Sequence, residues 1–208
     1  MPMIAIIDYD MGNLRSVQKG FEVVGHRAIV TRDVDMIDQA SHVVLPGVGA
    51  FGDCMNNLNR YGLIDPIYRA IRDEKPFLGI CLGYQLLFEE SEEFGIHKGL
   101  GILPGKVKAM LTIDAQGKPL KIPHMGWNTI QIDQPAPPLN GIDSGAFVYF
   151  VHSFYVEPAQ AALTCTTTEY GVSFASSVWK GKVFASQFHP EKSQGIGLHI
   201  LKNFGNWQ

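Results

Sequence analysis

A cysteine between two glycines is the first residue in this sequence that could do chemistry. Residues 77–83 (FLGICLG) run from an apolar strand pattern into a helical one through Gly-x-Cys-x-Gly. Flanking glycines permit a tight strand-to-helix turn, the cysteine form of a nucleophile elbow. The sulfur of Cys81 would then lie at a helix N-terminus, which favours the thiolate, and the N–H of Leu82 could stabilise an oxyanion. Taken alone, the motif fits a small buried core residue equally well.

A second motif, residues 187–191 (QFHPE), supplies the base that such a nucleophile needs. His189 can accept and return a proton, and Glu191 can hold the imidazole in the required tautomer. Residues two apart in an extended segment point the same way, so these two side chains can meet. By itself His189 would more often be a surface or capping histidine. Together the motifs predict a catalytic triad of Cys81, His189 and Glu191.

A third motif is the glycine-rich stretch of residues 45–53 (LPGVGAFGD), which follows a predicted strand. Such loops bring backbone N–H groups close to a ligand. The stretch lacks both the Gly-Lys-Ser/Thr ending of a phosphate-binding loop and the GxGxxG dinucleotide pattern. We therefore expect it to contribute an oxyanion or substrate-carbonyl contact.

The elements that must position these motifs alternate between short apolar runs and helical patterns in the first half of the chain. This alternation predicts βα units around a parallel sheet. The candidate strands are Ile4–Asp8, Ala28–Thr31, His42–Pro46 and Phe77–Ile80. We expect three helices here: one capped by Asn13 with the apolar stripe Leu14, Val17, Phe21 and Val24 and a stop at Gly25, one over much of Asp53–Arg72, and one that includes Tyr84–Glu93.

From about residue 101 the pattern becomes β-rich, with Pro and Gly breaks. The candidate β segments are Lys121–Ile132, Ala146–Glu157, Ala161–Thr168 and Val172–Phe188, followed by a helix at Ile196–Asn206. Residues 133–144 contain three prolines and are predicted as a surface loop. The sequence thus predicts an α/β fold: an open, mostly parallel, flavodoxin-like sheet flanked by helices, with an antiparallel β-rich extension, in a single domain spanning residues 1–208.

Composition excludes several classes of function. A chain of 208 residues with 46% hydrophobic and 18% charged residues can bury one sizeable core, and its net charge of −3 with scattered Lys and Arg argues against nucleic-acid or membrane partners. There is no signal peptide and no apolar run near the roughly 20 residues that a membrane helix needs, so we expect a cytoplasmic protein. The three cysteines form neither an even set nor a CxxC pair, which argues against disulfides and a metal site.

The three motifs, in this order, resemble those of class I glutamine amidotransferases. The similarity covers essentially the whole chain, and Pro-Gly-Val-Gly in place of the commoner Pro-Gly-Gly makes it more similar to the glutaminase subunits of imidazole glycerol phosphate synthases. Further matching segments are residues 7–17, 85–93, 123–128, 149–155 and 187–193. The resemblance implies hydrolysis of glutamine through a γ-glutamyl thioester on Cys81, without a cofactor.

The resemblance also implies roles for residues outside the triad. Val48 and Leu82 would supply the oxyanion donors, with a backbone rearrangement at Val48 completing the hole once the partner is engaged. The residues that would contact glutamine are Gly49, Gln85, Glu93, His152 and Ser153, of which Glu93 would meet the amino group and the His152–Ser153 backbone the carboxylate. For Gln85 and Glu93 the alternative is an ordinary exposed helix position, and for His152 a packed strand histidine.

A partner is implied because 208 residues leave no length for an acceptor enzyme. The resemblance indicates a (β/α)₈-barrel cyclase subunit in a heterodimer, which would receive ammonia and make imidazole glycerol phosphate and AICAR in histidine biosynthesis. The interface candidates are Met11, Asn13, Trp127, Tyr149 and Lys192. Trp127 could anchor an interface or belong to the core.

Three other functions stay open at the level of sequence. The chain could feed ammonia to a different synthase, such as one for pyridoxal phosphate or for a purine or anthranilate precursor. It could be a catalytically inactive flavodoxin-like binding module, although the intact triad argues against this. It could also be a cysteine peptidase of related fold, which would need an open cleft.

Overall fold

A computed structural model describes residues 2–208, in which thirteen strands form a nine-stranded and a four-stranded sheet. The strands are β1 Met3–Ile7, β2 Arg27–Thr31, β3 His42–Gly47, β4 Phe77–Cys81, β5 Glu90–Ser91, β6 His97–Lys98, β7 Gly105–Ala109, β8 His124–Ile132, β9 Ala146–His152, β10 Phe154–Pro158, β11 Thr164–Glu169, β12 Ser173–Lys180 and β13 Val183–Ser186. The four strands predicted in the first half are confirmed to within one residue at each end.

The large sheet has the order β2-β1-β3-β4-β13-β12-β11-β8-β9. The first five strands in this order are parallel, and the other four are antiparallel. The predicted α/β class is confirmed. The antiparallel strands continue the parallel sheet beyond β13 instead of forming only a separate extension. This order places the end of β13 beside the end of β4, although the two strands are about a hundred residues apart in sequence.

The small sheet, in the order β10-β7-β5-β6, divides a segment that the sequence predicted as one. Residues 146–157 were expected to be continuous, but β9 ends at His152 in the large sheet and β10 begins at Phe154 in the small one. Ser153 is therefore the point at which the chain changes sheets. Likewise, residues 161–163 form a 3₁₀ turn before β11, and residues 173–186 form the hairpin of β12 and β13.

The helices are α1 Leu14–Val23, α2 Val34–Gln39, α3 Phe51–Arg60, α4 Ile64–Arg72, α5 Leu82–Gln85 and α6 Gln194–Asn206. The prediction of a single helix within residues 53–72 is wrong. The helix is interrupted at Gly62, which has a φ of 65°. α1 is confirmed, with Gly25 at a φ of 88° after its end. Asn13 stands at its N-cap, but its side chain accepts from the hydroxyl of Ser16 and not from a backbone N–H.

The helix predicted over residues 84–93 is also wrong. α5 ends at Gln85, and the three residues that follow, Leu86, Leu87 and Phe88, are all fully buried. Three consecutive side chains cannot share one face of a helix, so the backbone turns through the core to bury them all. The carbonyls of this turn instead accept hydrogen bonds from N–H groups of residues 100–103. Glu93 consequently lies on a loop.

Helices cover both faces of the parallel half of the sheet. Ile37, Leu58 and Ile67 bury α2, α3 and α4 against one face, and Phe21 and Phe204 bury α1 and α6 against the other. Residues 133–144 are not a simple surface loop, because their apolar side chains, such as Leu139, pack beneath α6. Across residues 2–208 the structure has no helix whose length and apolar character would let it cross a membrane.

Candidate active site

Cys81 occupies the predicted elbow between β4 and α5. Its φ of 54° and ψ of −110° lie outside the regions that a side-chain-bearing residue prefers, at a cost of about 1–3 kcal/mol. A Cβ on Gly83 would lie 1.8 Å from the carbonyl oxygen of Leu45, so only glycine fits there. The strained turn places the sulfur at the N-cap of α5, with Cys81 only 7% exposed.

His189 and Glu191 follow β13, which pairs in parallel with β4 and ends beside it. Nδ1 of His189 lies 2.7 Å from a carboxylate oxygen of Glu191, and both side chains are buried. Within residues 2–208, Nε2 of His189 has no hydrogen-bond partner. The carboxylate thus holds one ring nitrogen and leaves the other free to exchange a proton in the cavity.

The electrostatic surroundings of His189 favour its charged form. Burial lowers the pKa of His189, but the negative charge of the Cys81 thiolate and the contact with Glu191 together raise it more, to about 10. An imidazolium beside a thiolate is the charge pair that activates cysteine nucleophiles. These surroundings therefore favour a proton on His189.

These groups face a cavity of about 310 Å³, at the small end of the range for ligand pockets. It is lined by all the residues predicted for the oxyanion and substrate contacts, together with Cys81 and His189, namely Val48, Gly49, Leu82, Gln85, Glu93, His152 and Ser153. The structure brings these residues together, while their individual roles stay predictions. Pro123, Val151 and Phe154 also line the cavity and were not predicted.

The glycine-rich loop meets the elbow through the register of β3 and β4, in which Gly47 pairs with Cys81. Gly49 has a φ of 97°, which glycine adopts readily. Two buried side chains hold the backbone from behind: the hydroxyl of Tyr9 donates to the carbonyl of Pro46 at 2.7 Å, and the thiol of Cys54 donates to that of Val48 at 3.6 Å.

Gln187 is a site residue to which sequence reasoning gave no role. Its side-chain nitrogen lies 3.8 Å from Sγ of Cys81, and its oxygen accepts from Nε2 of Gln85 at 2.9 Å. Gln85 also donates to the carbonyl of Phe154 at 3.0 Å. Gln187 is therefore oriented so that an N–H faces the sulfur. The only sequence signal was its position two residues before His189.

Two predicted substrate residues have additional partners. The carboxylate of Glu93 accepts from the N–H of Phe51 at 2.6 Å, which ties this loop residue to the N-terminus of α3. His152 is buried, and Nδ1 of its ring lies 2.8 Å from the carbonyl oxygen of Phe154. Burial lowers the pKa of His152 to about 3, so its ring is neutral at pH 7.

The predicted interface residues lie in the segment before α1, on β8, on β9 and, for Lys192, after β13. Met11 packs against Gly49 so closely that a Cβ added at Gly49 would lie only 2.8 Å from Cε of Met11. Trp127 is 45% exposed and packs edge-on against Tyr149, with ring centroids 6.0 Å apart. Lys192 lines the cavity itself, and its ammonium lies 5.9 Å from the centre of the Tyr149 ring.

All three cysteines are free and buried. Burial raises the pKa of Cys54 to about 12 and that of Cys165 to about 11, so neither is a thiolate at pH 7. Among residues 2–208 there is no cluster of His, Cys, Asp and Glu side chains that could hold a metal ion.

Comparison with known proteins agrees with this geometry. The family model "Glutamine amidotransferase class-I" matches residues 5–206. A protein of Syntrophotalea carbinolica named imidazole glycerol phosphate synthase subunit HisH is 58% identical over 205 residues, which are 98% of this chain and 100% of the relative. The protein of the same name in Geobacter metallireducens is 53% identical, with 98% of each chain covered.

Solved structures share the fold at low sequence identity. The structure titled PurLQS from Thermotoga maritima has a TM-score of 0.74 at 18% identity and covers 99% of this chain and 98% of its own. A crystal structure of a glutamine amidotransferase has a TM-score of 0.73 at 19% identity and covers 97% of this chain and 98% of its own. The chain therefore belongs to the class I glutamine amidotransferase family and, within it, to the branch formed by its HisH relatives.

Proposed function

We propose that this chain is the glutaminase subunit of an imidazole glycerol phosphate synthase, which hydrolyses glutamine to glutamate and ammonia in the cytoplasm and passes the ammonia to a cyclase subunit. The observation that carries this proposal is that His189, held at 2.7 Å by the buried carboxylate of Glu191, lines the same small cavity as the strained cysteine elbow. The names of the relatives support the assignment to histidine biosynthesis.

In the first step the thiolate of Cys81 attacks the side-chain carbonyl carbon of glutamine. A carbon–sulfur bond forms and the carbonyl electrons move to oxygen. Donors for this oxyanion are the backbone N–H of Leu82, at the start of α5, and a backbone N–H at Val48. Each such donor contributes about 10²–10³ in rate when correctly placed.

In the second step His189 gives its Nε2 proton to the departing amide nitrogen, and ammonia leaves. His189 then takes a proton from water, which attacks the thioester and releases glutamate. Glu191 holds Nδ1 throughout, so the ring keeps its orientation as its charge changes. The raised pKa of His189 supports its role as the acid that protonates the leaving nitrogen.

A partner is supported by an exposed apolar face beside the cavity. Met125, Trp127 and Phe147 are 65%, 45% and 59% exposed on β8 and β9. The register pairs Trp127 with Tyr149 and Met125 with Val151, so these side chains share one sheet face. Exposed apolar patches of this kind mark protein–protein contacts. The cyclase subunit would cover this face and receive ammonia before it reaches water.

The test is a glutaminase assay of the chain alone, with the cyclase subunit, and with the cyclase subunit plus its nucleotide ligand. We expect little activity alone, strong stimulation in the complete mixture, and near-total loss in Cys81→Ala. His199→Ala, on α6 away from the cavity, is the control and should leave activity intact. Equal activity without the partner would contradict a partner-dependent oxyanion hole.

The same mixtures distinguish the remaining alternatives. Stimulation by a different synthase, with none by the cyclase, would assign the chain to another pathway. Hydrolysis of peptides without hydrolysis of glutamine would indicate a peptidase. No turnover in any mixture, with Cys81 unreactive towards an alkylating reagent, would indicate an inactive binding module.

A further inference from the structure

Two buried histidines lie in direct contact beside the cavity, and neither takes part in the proton transfers above. His124 on β8 and His152 on β9 are cross-strand partners, and their exposed fractions are 3% and 6%. Nδ1 of His124 lies 2.9 Å from Nε2 of His152. One nitrogen must donate and the other accept, because two N–H groups or two lone pairs would repel. The hydrogen-bond partners of the other two ring nitrogens determine which histidine is the donor.

The contact between His152 and the backbone of Phe154 fixes the tautomer of His152. Nδ1 of His152 lies 2.8 Å from the carbonyl oxygen of Phe154, which can only accept a hydrogen bond. Nδ1 of His152 therefore carries a hydrogen. In the neutral ring this leaves Nε2 as an acceptor for a hydrogen on Nδ1 of His124.

The contact between Asn128 and His124 independently fixes the tautomer of His124, and the two assignments agree. The side-chain amide of Asn128 is oriented by two contacts: its oxygen accepts from the N–H of Thr129 at 2.8 Å, and its nitrogen donates to the carbonyl of Glu169 at 3.0 Å. The same amide nitrogen lies 3.3 Å from Nε2 of His124. An amide nitrogen only donates, so Nε2 of His124 accepts and its hydrogen is on Nδ1.

We infer that His124 and His152 are neutral Nδ1–H tautomers in a hydrogen-bond chain of fixed direction, from Asn128 to the Phe154 carbonyl, and that this chain positions the backbone that binds glutamine. The second half of this inference rests on the proposed function. Both histidines are positioning residues, because they act through the segment 152–154 and not on the reacting atoms.

The surroundings of the pair match neutral rings. His124 is stacked between the rings of Tyr170 and Phe150, with centroid distances of 4.0 and 4.8 Å. Burial lowers the pKa of His124 to about 4 and that of His152 to about 3. A second proton on either ring would set two N–H groups against each other and break the chain.

The positioning role follows from where the chain of hydrogen bonds ends. The Phe154 carbonyl also accepts from Nε2 of Gln85 at 3.0 Å, and the Ser153 carbonyl accepts from the N–H of Met110 at 2.9 Å. Within the segment 152–154, His152 still pairs with His124 in the large sheet and Phe154 pairs with Ala109 in the small one, and Ser153 lies between the two sheets. The backbone N–H of Met110 and the side chains of Gln85 and His152 hold the backbone at this change of sheets, and His124 holds the ring of His152.

The direct test is ¹⁵N NMR of the full chain labelled at histidine, at pH 7. Of the seven histidines, His124 and His152 should both show the neutral Nδ1–H tautomer, with a hydrogen bond between their rings. The variant His124→Phe, which keeps a ring between Tyr170 and Phe150, should remove one of these signals and shift the other. An Nε2–H tautomer or a protonated ring for either residue would overturn the assignment.

The functional test compares two variants in the complex with the cyclase subunit. His124→Phe removes the donor to His152, and we expect the KM for glutamine to rise about threefold to tenfold, the loss expected for one hydrogen bond. His124→Asn places an amide nitrogen near the lost Nδ1 and should restore most of the affinity. The rate of alkylation of Cys81 by iodoacetamide should stay unchanged in both, because the nucleophile is not disturbed.

Two outcomes would overturn the positioning role while the tautomers stood: an unchanged KM in His124→Phe, or an equal loss in both variants. A chain without glutaminase activity in any mixture would contradict the proposed function and leave the NMR assignment readable. The experiments can therefore contradict the tautomer assignment and the proposed function independently of each other.

Discussion

Gln187 is the residue outside the proposed triad whose contacts point most directly to a role in catalysis. Its amide N–H faces Sγ of Cys81 at 3.8 Å, and Gln85 fixes its orientation. A donor aimed at a thiolate stabilises negative charge, and hydrogen bonds to charged groups contribute more than neutral ones. Gln187 thus complements the imidazolium of His189 on another side of the sulfur.

We predict that Gln187→Met lowers kcat for glutamine by about tenfold, because an isosteric side chain without a donor leaves the thiolate less stabilised. The measurement is kcat in the complex, with the rate of Cys81 alkylation at pH 7 as a second readout. Asn203→Leu is the control, since it removes a side-chain amide that holds residues 138 and 140 far from the cavity. Unchanged kcat and alkylation in Gln187→Met would refute the role.

His189 links the site to pH. Its pKa of about 10 in the folded chain lies above the ordinary 6.5, so between these values the folded chain holds a proton that the unfolded chain has released. This contribution to the free energy of unfolding is complete below about pH 6.5 and is lost as pH rises through about 10. Cys81→Ala removes the largest favourable cause, so the pKa of His189 should fall in that variant. NMR titration of the ring in both proteins measures this, and equal pKa values would contradict it.

At the scale of elements, the elbow depends on close packing between the start of α5 and the end of β3. A Cβ on Gly83 would lie 1.8 Å from the Leu45 carbonyl oxygen, which is backbone and cannot move aside. The strained φ of Cys81 persists only because this packing fixes the turn. Activity therefore requires glycine at position 83 for a steric reason.

We predict that Gly83→Ala lowers the free energy of unfolding by about 1–3 kcal/mol and abolishes glutaminase activity, because the elbow must shift to admit the methyl group. Urea unfolding and the glutaminase assay measure the two effects. The matched control is Gly195→Ala in α6, where an added Cβ meets nothing within 4 Å. The free energy of unfolding of this variant should stay the same or rise by up to about 1 kcal/mol. Full activity in Gly83→Ala would show that the elbow tolerates movement.

At the scale of the whole molecule, the proposed surface for assembly lies at the edge of the large sheet. β9 is the last strand in the sheet order, and its face with β8 exposes Met125, Trp127 and Phe147 beside the cavity. Aromatic anchors of this kind carry much of the binding energy at interfaces. Under this proposal the partner binds to β8 and β9, the same two strands that carry the His124–His152 pair.

We predict that Phe147→Asp weakens binding of the cyclase subunit by at least about tenfold, because a carboxylate would be desolvated within an apolar contact. The free energy of unfolding should change little, since this side chain is 59% exposed. Isothermal titration calorimetry measures the affinity. Val23→Asp, at an apolar position on α1 that is 69% exposed, is the control, and an equal effect of both changes would argue against a localised interface.

The sequence by itself determined the triad motifs, the parallel half of the sheet and α1, because each depends on neighbours in the chain: glycines beside Cys81, apolar runs, and helical spacing. Only the tertiary structure decided the break at Gly62, the short α5 and the change of sheets at Ser153. At the end of α5, burial of Leu86, Leu87 and Phe88 outweighs local helical preference. The contact of Gln187 with Cys81 also needed the fold. It spans 106 residues and exists because β13 pairs with β4.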